Sequence, residues 1–121
     1  MEYQFSFEKL KVWKNSRDLA GIVYRVTSSF PKEEQFCLTN QLRRAVISIS
    51  SNLAEGTSRL SKKDQAHFTN LSYGSLMEVL NQLYIANDLG YLINDKFREL
   101  KIKVMEISNQ LNALRNSQLN K

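Results

Sequence analysis

The stretch QLRRAVISISSNLAEG, residues 41–56, decides the fold class. At 100° per residue, its apolar side chains and the preceding Leu38 gather on one face of a helix. They are Leu38, Leu42, Ala45, Val46, Ile49 and Leu53. A second, narrower stripe holds small polar side chains between an arginine and a glutamate: Arg44, Ser48, Ser51 and Glu55, with Asn52 at its edge. An ordinary surface helix has one apolar face. The pattern therefore predicts either a core helix with a solvated polar stripe or a helix that packs on two sides.

The composition predicts a single all-α domain over residues 1–121. Hydrophobic residues make up 42% of the chain, and four glycines and one proline are too few for a strand-and-turn fold. No apolar run approaches a membrane span of about 18 residues, and the first residues lack a signal pattern. The single cysteine, Cys37, cannot form an internal disulfide. We therefore expect a cytoplasmic protein with no membrane partner.

The remaining periodicity predicts four helices, at about residues 7–28, 36–57, 62–89 and 95–117. Short connections between them favour an up-down-up-down antiparallel four-helix bundle. Thr39 is a candidate N-cap for the second helix, and Gly56 a candidate left-handed C-cap. The last helix carries a heptad seam, Ile93, Phe97, Leu100, Val104, Ile107, Leu111 and Leu114. Residues 116–121 are expected to fray.

Basic residues outnumber acidic ones, 17 to 12, and the net charge of +5 favours an acidic partner. Along the first helix the basic side chains lie opposite the apolar face, in a row formed by Lys11, Lys14, Arg17 and Arg25. Lys62 and Lys63 stand near the start of the third helix. These six residues form either a solvated surface or a set of phosphate contacts.

A search for catalytic chemistry finds little. His67 is the single histidine, three residues after Asp64, which is too little for a metal site, and no nucleotide-binding loop motif is present. We therefore predict no metal and no cofactor. Glu55 and Glu78 are more simply interpreted as partners of Arg44 than as an acid and base pair. Gly74 and Ser75 in mid-helix indicate close approach of another backbone, since a helical glycine costs about 1 kcal/mol relative to alanine.

Several short motifs, in a fixed order, resemble a known family. They are F-x-x-L-x-V-W at residues 7–13, the proline and acidic turn at 31–34, LT at 38–39, QLRRA at 41–45, SI at 48–49, NLAEG at 52–56 and GS at 74–75 with Glu78. The chain is similar over about residues 7–92 to the four-helix-bundle proteins encoded in intervening sequences of bacterial 23S ribosomal RNA genes, the S23 family.

This resemblance implies a homopentamer of four-helix bundles arranged as a barrel around a central channel. It also implies relation to the accessory variability protein of diversity-generating retroelements, a basic protein that binds nucleic acid and associates with a reverse transcriptase. For the ribosomal-insert members no settled activity is implied. Residues that match family positions, Arg44, Asn52, Glu55 and Glu78, together with Ser48, Gly74 and Ser75, are then candidates for a polar network within the subunit or between subunits.

Three functions are compatible with the sequence. The first is a non-enzymatic oligomeric scaffold that binds RNA or DNA through its basic rows with little sequence preference. The second is an adaptor for a polymerase or a ribosome-associated protein, with nucleic-acid binding incidental. The third, an enzyme built on Glu55, Glu78 and His67, is disfavoured because one histidine leaves no plausible metal or nucleophile site.

Overall fold

A computed structural model describes residues 2–120. Its helices are α1, Lys11–Thr27; α2, Leu38–Thr57; α3, Lys62–Asp88; and α4, Asn94–Leu119. Two short 3-10 turns, Ser6–Lys9 and Lys32–Glu34, precede α1 and α2. The described residues include no β-strand, and the all-α prediction is confirmed.

Each helix contacts the next one along the chain, and α1 also contacts α4. Within residues 2–120, α1 makes no backbone approach to α3, and α2 makes none to α4. The helices therefore form a closed ring of four, as the up-down bundle requires. The contact between α2 and α3, here called the α2–α3 seam, is the most extensive, and the contact between α1 and α4, the α1–α4 seam, is the least extensive. These two seams lie diagonally opposite each other.

The core lies along the axis of the bundle and takes apolar side chains from all four helices. The central stripe of α2 is fully buried, as its periodicity predicts. The heptad seam of α4 is buried from Leu100 to Leu111, while Phe97 and Leu114 at its ends are half-buried. The largest buried side chains are Leu19, Val23, Leu42, Val46, Ile49, Leu53, Leu76, Val79, Leu83, Leu100, Ile107 and Leu111. Ile93, the first residue of the predicted seam, is exposed because it precedes the first residue of α4.

The first helix begins later than the sequence pattern indicates, at Lys11 rather than near residue 7. Leu10 is extended, with φ −76° and ψ 123°, and separates α1 from the 3-10 turn. Phe7 in that turn packs edge-to-face on Trp13, with ring centroids 5.0 Å apart. The apolar residues of the run therefore fold back on the start of α1 instead of extending it.

The connection from α1 to α2 is held by Glu34. Its carboxylate accepts hydrogen bonds from the Leu38 amide, at 3.3 Å, and from the Tyr91 hydroxyl, at 2.9 Å. The bond to Glu34 raises the pKa of Tyr91 above its ordinary value. Thr39 lies buried inside α2 and does not act as the N-cap, so that prediction was wrong.

Gly56 is not the C-cap of α2, because the helix continues through Thr57. It is buried against α3, and a Cβ atom at this position would lie 2.7 Å from the Cβ of Phe68. Gly56 is therefore required by the close approach of two helices. The left-handed glycine of the structure is Gly90, with φ 81°, which directly follows Leu89, the C-cap of α3.

The last turn of α4 is ordered by a buried contact with α3. Thr69 donates a hydrogen bond of 2.8 Å to the side-chain oxygen of Gln118, and both residues are buried. The helix accordingly extends through Leu119, beyond the predicted end. Lys121, the last residue of the expected frayed tail, lies outside the described residues.

Within residues 2–120, no helix combines the length and the apolar composition that crossing a membrane requires.

Candidate interaction surfaces

A polar cluster joins α2 to α3 along the outer edge of their seam. The Ser75 hydroxyl donates to the Ser48 hydroxyl at 2.9 Å, and the Asn52 amide donates to the same oxygen at 3.0 Å and to the Ser48 carbonyl at 2.9 Å. Deeper in the seam, the buried Ser72 hydroxyl donates to the Ile49 carbonyl at 2.8 Å. Small side chains allow the two helices to approach closely here, and their hydroxyls supply the hydrogen bonds that a close polar contact needs.

Beside this cluster lies a shallow depression of about 310 Å³, lined by Gln41, Arg44, Ala45, Ser48 and Glu78. Arg44 and Glu78 are exposed. The three ion pairs among residues 2–120 involve neither of them. An exposed arginine and an exposed glutamate thus line the same depression without forming a salt bridge.

Glu55 stands apart from this cluster. Its carboxylate pairs with Arg59, at 2.8 Å, rather than with Arg44, and both side chains are about half exposed. Arg59 also lies over the ring of Phe68, with its guanidinium carbon 4.7 Å from the centroid. The expected pairing of Glu55 with Arg44 was therefore wrong, because a closer arginine follows one helical turn later. Of the predicted polar network, Ser48, Asn52 and Ser75 are joined by direct hydrogen bonds.

Gly74 is exposed on α3 next to this cluster. A Cβ atom at this position would meet no other atom within 4 Å. Packing within the described part of the chain therefore gives no reason for a glycine, in contrast to Gly56. One helical turn before it, Leu71 is 42% exposed, so an apolar side chain and an open backbone lie together on this face.

At the opposite side of the bundle, α1 and α4 bound a depression of about 450 Å³, here called the α1–α4 trough. It is lined by Arg17, Asp18, Gly21, Ile22, Arg25 and Lys103. One side-chain hydrogen bond crosses the same seam, from Asn15 to Gln110 at 3.0 Å. The three cations of the trough form none of the ion pairs found among residues 2–120.

The structure brings together only part of the predicted basic set. All six residues, Lys11, Lys14, Arg17, Arg25, Lys62 and Lys63, are exposed. Arg17 and Arg25 line the trough, while Lys11 and Lys14 precede it on α1. Lys62 and Lys63 lie in the first turn of α3, which does not contact α1. Lys103 was missed, although its position directly before the buried Val104 places it at the flank of the α4 seam.

A second surface that the sequence analysis missed lies on the outer face of α4. Ile102 and Met105 are 64% and 57% exposed, and the stems of Arg98 and Lys101 flank them. The heptad periodicity of α4 identified the residues that face the core. It did not identify Ile102 and Met105, which lie outside that seam. Exposed apolar residues that lie together can mark an interaction site.

No group of three or more potential metal-ligating side chains is found within residues 2–120. His67 is exposed and contacts Phe68 edge-to-face, at 5.5 Å between ring centroids. Among the described residues, His67 forms no ion pair with Glu55 or Glu78.

Comparisons with known proteins agree with this architecture. A crystal structure of a protein with unknown function from the S23 ribosomal protein family of Bacteroides thetaiotaomicron aligns with a TM-score of 0.77 and 19% sequence identity. The alignment covers 86% of this chain and 97% of that one. No curated protein matches the chain. The family model of the 23S rRNA-intervening sequence protein matches residues 8–113. Because this match spans most of the sequence, the chain belongs to the family of 23S rRNA-intervening sequence proteins.

Proposed function

We propose that the protein is a non-enzymatic, cytoplasmic, homo-oligomeric scaffold that binds RNA or DNA with little sequence preference. The expected assembly is a homopentamer. The α2–α3 seam takes part in self-association, and the α1–α4 side carries the nucleic-acid contacts. The observation that carries the proposal is that these two surfaces lie on diagonally opposite sides of the bundle. A subunit can therefore contact a neighbouring subunit and a nucleic acid at the same time.

The α1–α4 side supports nucleic-acid binding through its charge. Three cations, Arg17, Arg25 and Lys103, meet in one trough, and Lys14 extends the row on α1. Such cations gain from contact with phosphates, which releases counterions and makes affinity fall with salt. Five subunits at +5 each would carry about +25 in total, which would strengthen this attraction.

The α2–α3 side supports self-association through exposed groups that form no ion pair among residues 2–120. Arg44 and Glu78 are exposed at one depression, and Gly74 opens the backbone of α3 to a neighbour. A ring requires a second, different surface on each subunit. The apolar patch formed by Ile102 and Met105 is the candidate for that surface.

Light scattering behind a sizing column tests the assembly, and titration of a labelled RNA or DNA over a range of salt tests the binding. We expect a mass of about 70 kDa, five times 14.0 kDa, and an affinity that falls as salt rises. A monomer at both low and high salt would contradict the scaffold, and an affinity that does not depend on salt would contradict phosphate binding.

A protein-interaction adaptor is the second candidate, and the exposed patch at Ile102 and Met105 favours it. A polymerase or a ribosome-associated protein would then occupy that patch. Capture of partners from native lysate before and after nuclease treatment separates the two functions. A partner that persists without nucleic acid, and is lost in Ile102→Ser, favours the adaptor.

A further inference from the structure

We propose that the α1–α4 trough binds the phosphate backbone of a nucleic-acid double helix. This inference rests on the proposed function and assigns its contact surface. The ligand chemistry is the phosphodiester backbone, which duplex RNA and duplex DNA share. The duplex is held in the trough and not by diffuse attraction to the charge of the whole surface.

The cations of the trough are available to a ligand. Arg17, Arg25 and Lys103 come from two helices, and no carboxylate within residues 2–120 pairs with them. Arg17 also lies 5.5 Å from the centroid of the Trp13 ring, and this cation–π contact favours one position of its guanidinium. A ligand phosphate therefore meets cations on both sides of the seam.

Gly21 makes the trough deep enough for this contact. A Cβ atom at this position would lie 3.4 Å from the Nη1 atom of Arg25. Helical side chains lean toward the helix N-terminus, so Arg25 lies back over Gly21 and toward Arg17. A side chain as large as leucine at position 21 would therefore displace the Arg25 guanidinium and fill the floor of the trough.

The length of the basic row fits more than one phosphate. Arg17 and Arg25 are about 12 Å apart along the axis of α1, and Lys14 extends the row to about 16 Å. Each strand of a B-form duplex carries one charge per about 3.4 Å of axis. A row of this length on one helix therefore faces several phosphates of a duplex at the same time.

The absence of aromatic side chains in the trough lining favours a duplex over a single strand. The lining residues are charged or aliphatic, apart from Gly21. Proteins that bind single strands without sequence preference stack successive bases on aromatic rings. Contacts to the backbone alone suit a duplex, whose bases are already stacked inside it.

One carboxylate sets a limit on affinity and supplies a sharp test. Asp18 belongs to the lining of the trough. A carboxylate beside a bound phosphate is repulsive. Removal of the Asp18 charge should therefore strengthen binding, which a purely structural role of Asp18 would not do.

The experiment measures fluorescence anisotropy of labelled duplex RNA, duplex DNA and a single strand of the same sequence, from low to high salt. The protein is the full chain. We expect both duplexes to bind more tightly than the single strand. If the duplexes bind no better than the single strand, the assignment of a duplex is wrong.

Gly21→Leu distinguishes binding in the trough from binding by the overall surface charge, because the leucine fills the trough without changing the net charge. We expect duplex affinity to fall about tenfold, as for the loss of one charge-assisted hydrogen bond. Leucine is a better helix former than glycine, so the variant should fold, which its melting temperature verifies. Ala113→Leu, on the exposed outer face of α4, is the matched control and should bind as the wild type does.

Two charge variants complete the test. Asp18→Asn should tighten duplex binding about threefold, whereas Asp88→Asn, the same change at the end of α3, should have a smaller effect. Lys103→Gln should lower the salt slope by about 0.9. If the wild type binds duplex but Gly21→Leu and Lys103→Gln bind equally well, the trough is overturned while the proposed function stands. If the wild type binds no nucleic acid, both are overturned.

Discussion

The two diagonal seams of the bundle are built in opposite ways. At the α2–α3 seam, Gly56 and the serines bring the helices into close contact, and hydrogen bonds donated by the Ser72 and Ser75 hydroxyls cross it. At the α1–α4 seam, Gly21 and long basic side chains leave a trough between the helices. Glycine thus closes one seam and opens the other. The difference teaches that a glycine in a helix is informative only together with what faces it.

The largest expected effect comes from filling the two glycine positions. Gly56→Leu should destabilise the protein by about 3 kcal/mol, because its side chain overlaps Phe68 in a packed seam. Gly21→Leu should instead stabilise it by about 0.8 kcal/mol, since the trough has room and leucine favours the helix. Urea unfolding of both variants measures the contrast. Equal destabilisation by the two substitutions would mean that the helices pack as tightly at the α1–α4 seam as at the α2–α3 seam.

The next effect concerns the unpaired charges beside the α2–α3 seam. Arg44→Ala should weaken each subunit contact by about 2 kcal/mol, the cost of a lost charge-assisted hydrogen bond to a neighbouring subunit. Mass photometry at decreasing protein concentration would then show earlier dissociation than for the wild type. Arg59→Ala removes an arginine that is already paired within its own subunit and serves as the control. An unchanged mass and melting temperature for Arg44→Ala would remove its interface role.

A smaller effect distinguishes the hydrogen bonds of the two seams. Ser72→Ala removes a buried bond to the Ile49 carbonyl and should cost about 1 kcal/mol. Asn15→Ala removes the half-buried bond to Gln110 across the α1–α4 seam and should cost about 0.5 kcal/mol. Chemical denaturation of the two variants compares them directly. A greater loss for Asn15→Ala would reverse the assignment of the tighter seam.

The smallest effect is expected for Glu55→Gln. The pair that Glu55 forms with Arg59 is exposed, so its loss should change stability by less than about 0.5 kcal/mol. High salt should reduce even this difference. Thermal melts of the variant at two salt concentrations measure it. A loss of several kcal/mol would return Glu55 to the polar cluster of Ser48, Asn52 and Ser75, from which the structure separates it.

The sequence alone predicted the four helices and the buried face of α2, because apolar periodicity reports which side chains must leave water. It did not predict Arg59 as the partner of Glu55, because Gly56 was interpreted as a C-cap that would end the helix before Arg59. Lys103 was also missed. A single lysine beside a heptad seam forms no recognisable sequence pattern. Lys103 comes close to the basic row of α1 only because α4 packs against α1.

The structure also corrected the roles that the sequence predicted for Gly56 and Gly74. Gly56 was interpreted as a helix cap from its place after the last apolar residue, but it lies at a helix crossing. Gly74 was interpreted as a point of close approach, and within the described chain nothing approaches it. Local sequence identifies where a helix carries a glycine, whereas the neighbour that explains it belongs to the tertiary or quaternary structure.

The most direct test of the division between the two seams is the absolute mass in solution of the wild type, Gly74→Leu and Gly21→Leu, measured by light scattering. A leucine at position 74 would block a neighbour at the α2–α3 side, while one at position 21 fills only the opposite trough. We predict about 70 kDa for the wild type and for Gly21→Leu, and 14.0 kDa for Gly74→Leu. A monomeric wild type, or dissociation of Gly21→Leu with an intact Gly74→Leu assembly, would contradict the account.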